Sequence, residues 1–258
     1  MMYSDYSSEK GASRLLHRVY AWMGGALAIT GATAWGVANY PPAISFIFQT
    51  PMVVLLLFIA QIGLVMYLSF RIQKMTLQTA VATFLSYSFL TGLTLSSIFL
   101  VYTHQSIAVA FFICAGMFVA MSLYGIFTRA DLSSMGSFLF MGLMGLILCM
   151  VVNIFLQSAQ FDFFISLVGV GIFTLLTAYD VQQIKRIGDQ MSATGAPLGK
   201  VAIIGALKLY LDFINLFLFL LVLNFGTFVG NIYPQLVMIP FLSLIFNEKK
   251  LKNTNSIN

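Results

Sequence analysis

The run VYAWMGGALAITGATAWGVANYPPAISFIFQTPMVVLLLFIAQIGLVMYLSF (Val19–Phe70) holds 52 residues without one Asp, Glu, Lys or Arg. A helix needs about 20 apolar residues to cross the hydrocarbon core of a bilayer. The run is therefore long enough for two crossings, and Pro41-Pro42 breaks it near the middle. The reading is one span at about 20–39 and a second at about 51–70. Composition agrees: 60% of residues are hydrophobic and 8% charged, against roughly 25% charged in a soluble domain. The mean hydropathy of +0.94 completes the picture of a polytopic membrane protein whose environment is the lipid bilayer.

The same logic extends along the chain. Met75–Thr128 is another uncharged run, of 54 residues, with a polar interruption at Tyr102, Thr103, His104 and Gln105. It reads as spans at about 79–101 and 107–127; later runs give spans at about 135–156, 163–184 and 203–225. The expected architecture is thus all-α with seven transmembrane helices over residues 19–225.

Basic residues orient these spans. Lys10, Arg14 and Arg18 precede the first; Arg71 and Lys74 follow the second; Arg129 follows the fourth; Lys185, Arg186 and Lys200 follow the sixth. The alternate loops at 40–50, 102–106 and 157–162 hold no Lys or Arg. The positive-inside rule then puts the N-terminus, residues 1–18, in the cytoplasm. That polar segment lacks the apolar core and small-residue cleavage site of a signal peptide. The net charge of +5 does not point to nucleic acid, because the 13 basic residues sit in short clusters between apolar runs. Residues 226–258 are apolar and then basic; Gly230, Asn231, Pro234 and Pro240 argue against a regular eighth helix there.

Most polar residues have plain readings. Cys114 and Cys149 lie deep in apolar runs as small hydrophobes, and no cofactor or metal motif accompanies them. Asp131 reads as a helix N-cap before the fifth span, Asp162 as a cap of the sixth, and His104 as a solvated loop residue.

Two acids differ. Asp180 lies in TAYDVQQIK (Thr177–Lys185) and Asp212 in LKLYLDFINLFLFLL (Leu207–Leu221), on consecutive antiparallel spans. At 1.5 Å per residue they fall at similar depth, toward the cytoplasmic side. Asp180 also opposes the dipole at the C-terminal end of its helix. An acid within a span costs roughly 2.5–3.5 kcal/mol on insertion scales and usually faces a cavity, a partner or an ion path. Facing carboxylates do not both ionise readily, so such a pair shares a proton and titrates as a unit. Fully ionised, Asp180 and Asp212 offer the hard oxygens that suit Ca²⁺. The competing reading is ordinary ion pairing: Asp180 with Arg186, and Asp212 with Lys208 one turn earlier, the weaker order for such a pair. Asn215 shares the Asp212 face and can line the same cavity or bond between helices.

These motifs resemble the Bax inhibitor-1 (transmembrane Bax-inhibitor-motif) family. LTGLTLSSIFLVYT (90–103) and AMSLYGIFTRADLSSMG (120–136) resemble its bacterial branch, and the similarity runs from about residue 15 to 223. The resemblance implies a central last helix wrapped by two antiparallel three-helix layers, in a bacterial inner membrane. It implies a pH-sensitive calcium leak channel in which Asp180 and Asp212 form a hydrogen-bonded pair serving Ca²⁺ and protons. It also implies an arginine from the second span set against the pair, for which Arg71 is the candidate. Lys208 departs from the family pattern, which has a neutral residue there. A second role found in the family is regulation of a membrane-bound AAA protease or of a stress or cell-death pathway, here through residues 1–18. Intramembrane aspartyl proteases also carry a Tyr-Asp pair, as at Tyr179-Asp180. They surround the second acid with Gly-x-Gly-Asp, however, and here it is Tyr210-Leu211-Asp212, with no Pro-Ala-Leu motif following. The expectation is that the chain is not an enzyme.

Overall fold

The computed structural model describes residues 2–194 and 197–225, all helices and turns. α1 (Met2–Ala38) is followed by α2 (Pro41–Gln49), α3 (Pro51–Arg71), α4 (Leu77–Leu95) and the one-turn α5 (Ile98–Val101). Next come α6 (His104–Phe127), a 3₁₀ turn (Leu132–Ser134), α7 (Met135–Leu156), α8 (Ala159–Thr194) and α9 (Gly199–Phe225). The apolar tail expected to be irregular lies outside the described residues.

Local chemistry sets the boundaries. Pro41-Pro42 ends α1, and the interval read as a loop is the short helix α2, which starts on those prolines; proline suits the first turn because its missing N–H has no partner there anyway. Thr76 and Thr103 cap α4 and α6 by accepting from the amides of Thr79 and Ser106 at 3.2 and 3.1 Å. The third span is interrupted where the Ser96 and Ser97 hydroxyls donate to the Leu93 and Thr94 carbonyls, a local competition with helix hydrogen bonding. Asp131 caps the 3₁₀ turn through the Ser133 amide at 2.9 Å, as its position suggested. Asp162 is not a cap. α8 starts three residues earlier, the Ser158 hydroxyl takes the Phe161 amide at 3.3 Å, and Asp162 in the first turn accepts from Asn153 Nδ2.

Among the described residues, six helical segments are long and apolar enough to cross a membrane: 51–71, 77–101, 104–127, 132–156, 159–191 and 199–224. The protein is a polytopic membrane protein. α1 has the length but is not among the six, because Gly, Thr and Trp dilute the apolar half of its sequence. The close approach of α1 to α4 is made from the other side: a Cβ at Gly92 of α4 would stand 2.7 Å from the Thr30 carbonyl, whereas Gly24, Gly25, Gly31 and Gly36 of α1 have open space beside them. α1 packs on α4, α8 and α9.

α9 lies inside the bundle. It touches α1, α4, α6 and α8, and 94% of its apolar window is buried, against 22% for α3 and α6. Polar links hold neighbours in register. The Thr30 hydroxyl meets the Ser88 carbonyl at 2.9 Å and the Tyr210 hydroxyl at 2.7 Å, joining α1, α4 and α9. Gln61 Nε2 donates to the Thr94 hydroxyl at 2.6 Å, joining α3 to α4.

Candidate functional site: a buried charge cluster between α8 and α9

The segment around Asp180 is pinned on two sides by glycine. A Cβ at Gly125 of α6 would run into the Ala178 carbonyl, and one at Gly136 of α7 would stand 2.6 Å from the Tyr179 hydroxyl. Only the absence of a side chain lets α6 and α7 close on α8 here. That closure excludes water: Asp180 and Asp212 are fully buried, and Lys208 is 1% exposed.

Lys208 reaches across the α8–α9 seam. Its ammonium lies 2.6 Å from Asp180 Oδ1. It donates to Gln183 Oε1 at 3.1 Å and sits 5.4 Å from the centre of the Tyr179 ring, within cation–π range. Asp212 follows Lys208 by four residues, one turn along the same face of α9. Two carboxylates and one ammonium are therefore gathered inside the helical body. Asn215, a further turn on, is fully buried. Its Nδ2 donates to the Leu211 carbonyl of its own helix at 2.8 Å, and its Oδ1 accepts no hydrogen bond among the described residues.

Arg71 is exposed as the last residue of α3, whereas Asp180, Lys208 and Asp212 are buried. Arg186 does not pair with Asp180. It binds Asp131 at 2.6 Å and donates to the Ser133 hydroxyl, because residue 186 lies on the α8 face toward the 128–134 loop. Asp131 is held below the ordinary carboxylate range, at about 2, first by the Ser133 amide and then by Arg186. His104 is exposed and stacks loosely on Phe99, ring centres 5.5 Å apart. Cys114 is buried, its thiol 3.6 Å from the Phe213 carbonyl.

Three residues of the Asp180 motif, and Arg186 just after it, carry contacts that sequence reasoning passed over. Gln182 pairs with the loop backbone twice, accepting from the Leu132 amide at 2.9 Å and donating to the Ala130 carbonyl at 2.8 Å. Lys185 donates to the Ile126 carbonyl at 2.8 Å, satisfying an open acceptor at the end of α6. Arg186 holds Asp131, and Gln183 holds Lys208. Helical spacing was the available signal: 182, 185 and 186 share one face, and 179, 180 and 183 another.

Comparison with known proteins gives a consistent result. Residues 12–229 match the family described as inhibitor of apoptosis-promoting Bax1. The inner membrane protein YbhL of Escherichia coli K12 is 46% identical over 212 residues, covering 82% of this chain and 91% of that protein. An uncharacterized protein of Borreliella burgdorferi is 44% identical over 209 residues, covering 81% and 90%. Another, from Rickettsia prowazekii, is 43% identical over 224 residues, covering 86% and 92%.

Proposed function

The chain belongs to the Bax inhibitor-1 family, and we propose that it is a pH-sensitive calcium leak of the bacterial inner membrane, gated by protons on Asp180 and Asp212. The observation that supports this reading is the burial of both carboxylates at a seam between two spans. Buried acids within a span are expensive, and such residues mark ion and proton paths. With both acids ionised and Lys208 protonated the cluster carries one net negative charge, which attracts a cation; a single added proton makes it neutral. Proton binding and cation binding therefore oppose each other at one place. The cargo proposed is Ca²⁺, for which carboxylate oxygens are suitable hard donors; the charge count by itself does not choose between monovalent and divalent ions.

In this reading α1 makes the seventh crossing. α1 with α3 and α4, and α6 with α7 and α8, form the two layers around α9. The basic loops, and with them residues 1–18, face the cytoplasm. The inner-membrane placement is carried over from the name of YbhL. The apolar faces of α3, α6 and α7 meet lipid. In this reading the cluster is not catalytic; the ammonium of Lys208 beside Asp180 speaks against hydrolysis by paired acids, which needs both around one water.

Purified protein in liposomes is expected to pass Ca²⁺ at a rate that changes with pH, and Asp180→Asn or Asp212→Asn to abolish that pH response. Absence of Ca²⁺ flux at every pH between 5 and 8 overturns the leak. A second reading, control of a membrane-bound AAA protease, is favoured by one feature: α1 is helical from Met2, well before its apolar part begins. Removing residues 2–10 separates the two, since a leak survives that deletion and regulation through the N-terminal segment does not.

A further inference from the structure

We infer that Lys208 is a tethered competitor for the divalent cation, holding the place beside Asp180 that the cation would take and so setting the charge the site accepts. This rests on the leak reading and adds the residue that determines its selectivity. The ammonium engages two oxygens, Asp180 Oδ1 at 2.6 Å and Gln183 Oε1 at 3.1 Å. Carboxylate and amide oxygens are also the donors a Ca²⁺ ion seeks, so ammonium and ion draw on the same groups.

Charge balance points the same way. With both acids ionised, Lys208 leaves the cluster at a net charge of minus one. A monovalent cation brings the sum to zero, whereas a divalent one leaves an uncompensated positive charge in a water-excluded seam, an expensive state. Without Lys208 the sum is minus two, and a divalent ion neutralises it. Of the other bases at this end, Lys185 is on the Ile126 carbonyl, Arg186 on Asp131 and Lys200 on the Gln73 carbonyl at 3.0 Å, while Arg14, Arg18, Arg71, Lys74 and Arg129 are exposed. Among the described residues, Lys208 is the buried base, and it lies against Asp180.

The test is calorimetric titration of the detergent-solubilised full chain with CaCl₂, alongside Ca²⁺ flux in liposomes. Lys208→Gln keeps a donor toward Asp180 but removes the charge. It is expected to lower the Ca²⁺ Kd by about tenfold or more, equivalent to about 1.4 kcal/mol, and to raise Ca²⁺ flux relative to Na⁺ flux. Lys208→Arg keeps the charge and offers a fork of donors to the carboxylate, so its Ca²⁺ affinity stays at or below that of the unaltered protein. Equal Ca²⁺ affinity in the Gln variant and the unaltered protein overturns the inference. So does an Arg variant that binds Ca²⁺ more tightly than the unaltered protein, which decides the matter even where the Gln variant does not fold. Tighter binding by the Gln variant with no flux from any form leaves Lys208 as the competitor and removes the leak instead.

Discussion

α8 carries two ion pairs of the same length, six residues apart. Asp180–Lys208 and Asp131–Arg186 both span 2.6 Å, but the side chains of the first are 0% and 1% exposed and those of the second 67% and 43%. Length alone does not rank them. At the surface, water solvates both partners whether or not they meet, so an exposed pair adds little. Inside, neither partner has water to return to, and each depends on the other. The outer pair lashes a loop to a helix. The inner pair keeps charge where the fold would be simpler without it, and that is the stronger sign of function.

The largest effect expected from this contrast is on stability. Asp180→Leu leaves Lys208 charged in the seam and is expected to destabilise the protein by about 3–5 kcal/mol, the usual range for removing one partner of a buried pair. Asp180→Leu combined with Lys208→Met removes both partners of the close pair and keeps the volume apolar, and Asp212, still buried once both charges beside it are gone, can then take up a proton, so most of that loss should return. Thermal unfolding in detergent reads both. A double variant no more stable than the single one breaks the contrast, because the pair would then be holding the seam together in its own right.

A smaller effect belongs to the strap beside the pair. Gln182→Ala leaves the Leu132 amide without its acceptor in a buried position. A buried donor left unsatisfied costs about 1–3 kcal/mol. Amide hydrogen exchange should quicken at Leu132 and its neighbours in the 3₁₀ turn, while Asp180 and Lys208 stay paired. Quickening spread equally over α9 goes against this, since it joins strap and cluster into one unit.

Sequence reading reached the two acids because charge inside an apolar run stands out against its surroundings. Pro41-Pro42, Arg71 and Arg129 likewise announced where helices end, whereas α8 runs on past Lys185 and Arg186 to Thr194, so Asp180 is not at the end of its helix, and α1 starts at Met2, before Lys10. The partners were harder. Lys208 was visible as a neighbour of Asp212 along α9, but which acid its flexible stem reaches depends on how α8 and α9 are rotated about their axes. That rotation goes with close contacts such as Gly169 of α8 on Phe219 and Gly205 of α9 on Ile184, which no local pattern in the sequence announces. Arg71 shows the reverse limit: the right residue type at the end of a span, yet left exposed by where α3 stops. α1 was read as a span from its lack of charge, whereas its Gly, Thr and Trp leave it less apolar than the six segments that are long and apolar enough to cross.

The smallest effect separates the two pairs by pH. Asp131 is held at about 2 by the Ser133 amide and Arg186. For a carboxylate depressed in the folded state, the stabilisation is complete above its ordinary value near 4 and is lost as pH falls through the folded value. The tether at Asp131 is therefore fully formed from pH 5 to pH 8 and contributes no pH dependence there. Asp131→Asn should leave the shape of the Ca²⁺ flux profile over that window unchanged, whatever it does to the overall rate. A shifted profile means that the loop between α6 and α7 takes part in proton sensing. An unshifted one, beside the altered profiles of Asp180→Asn and Asp212→Asn, assigns the response to the inner pair and its neighbour on α9.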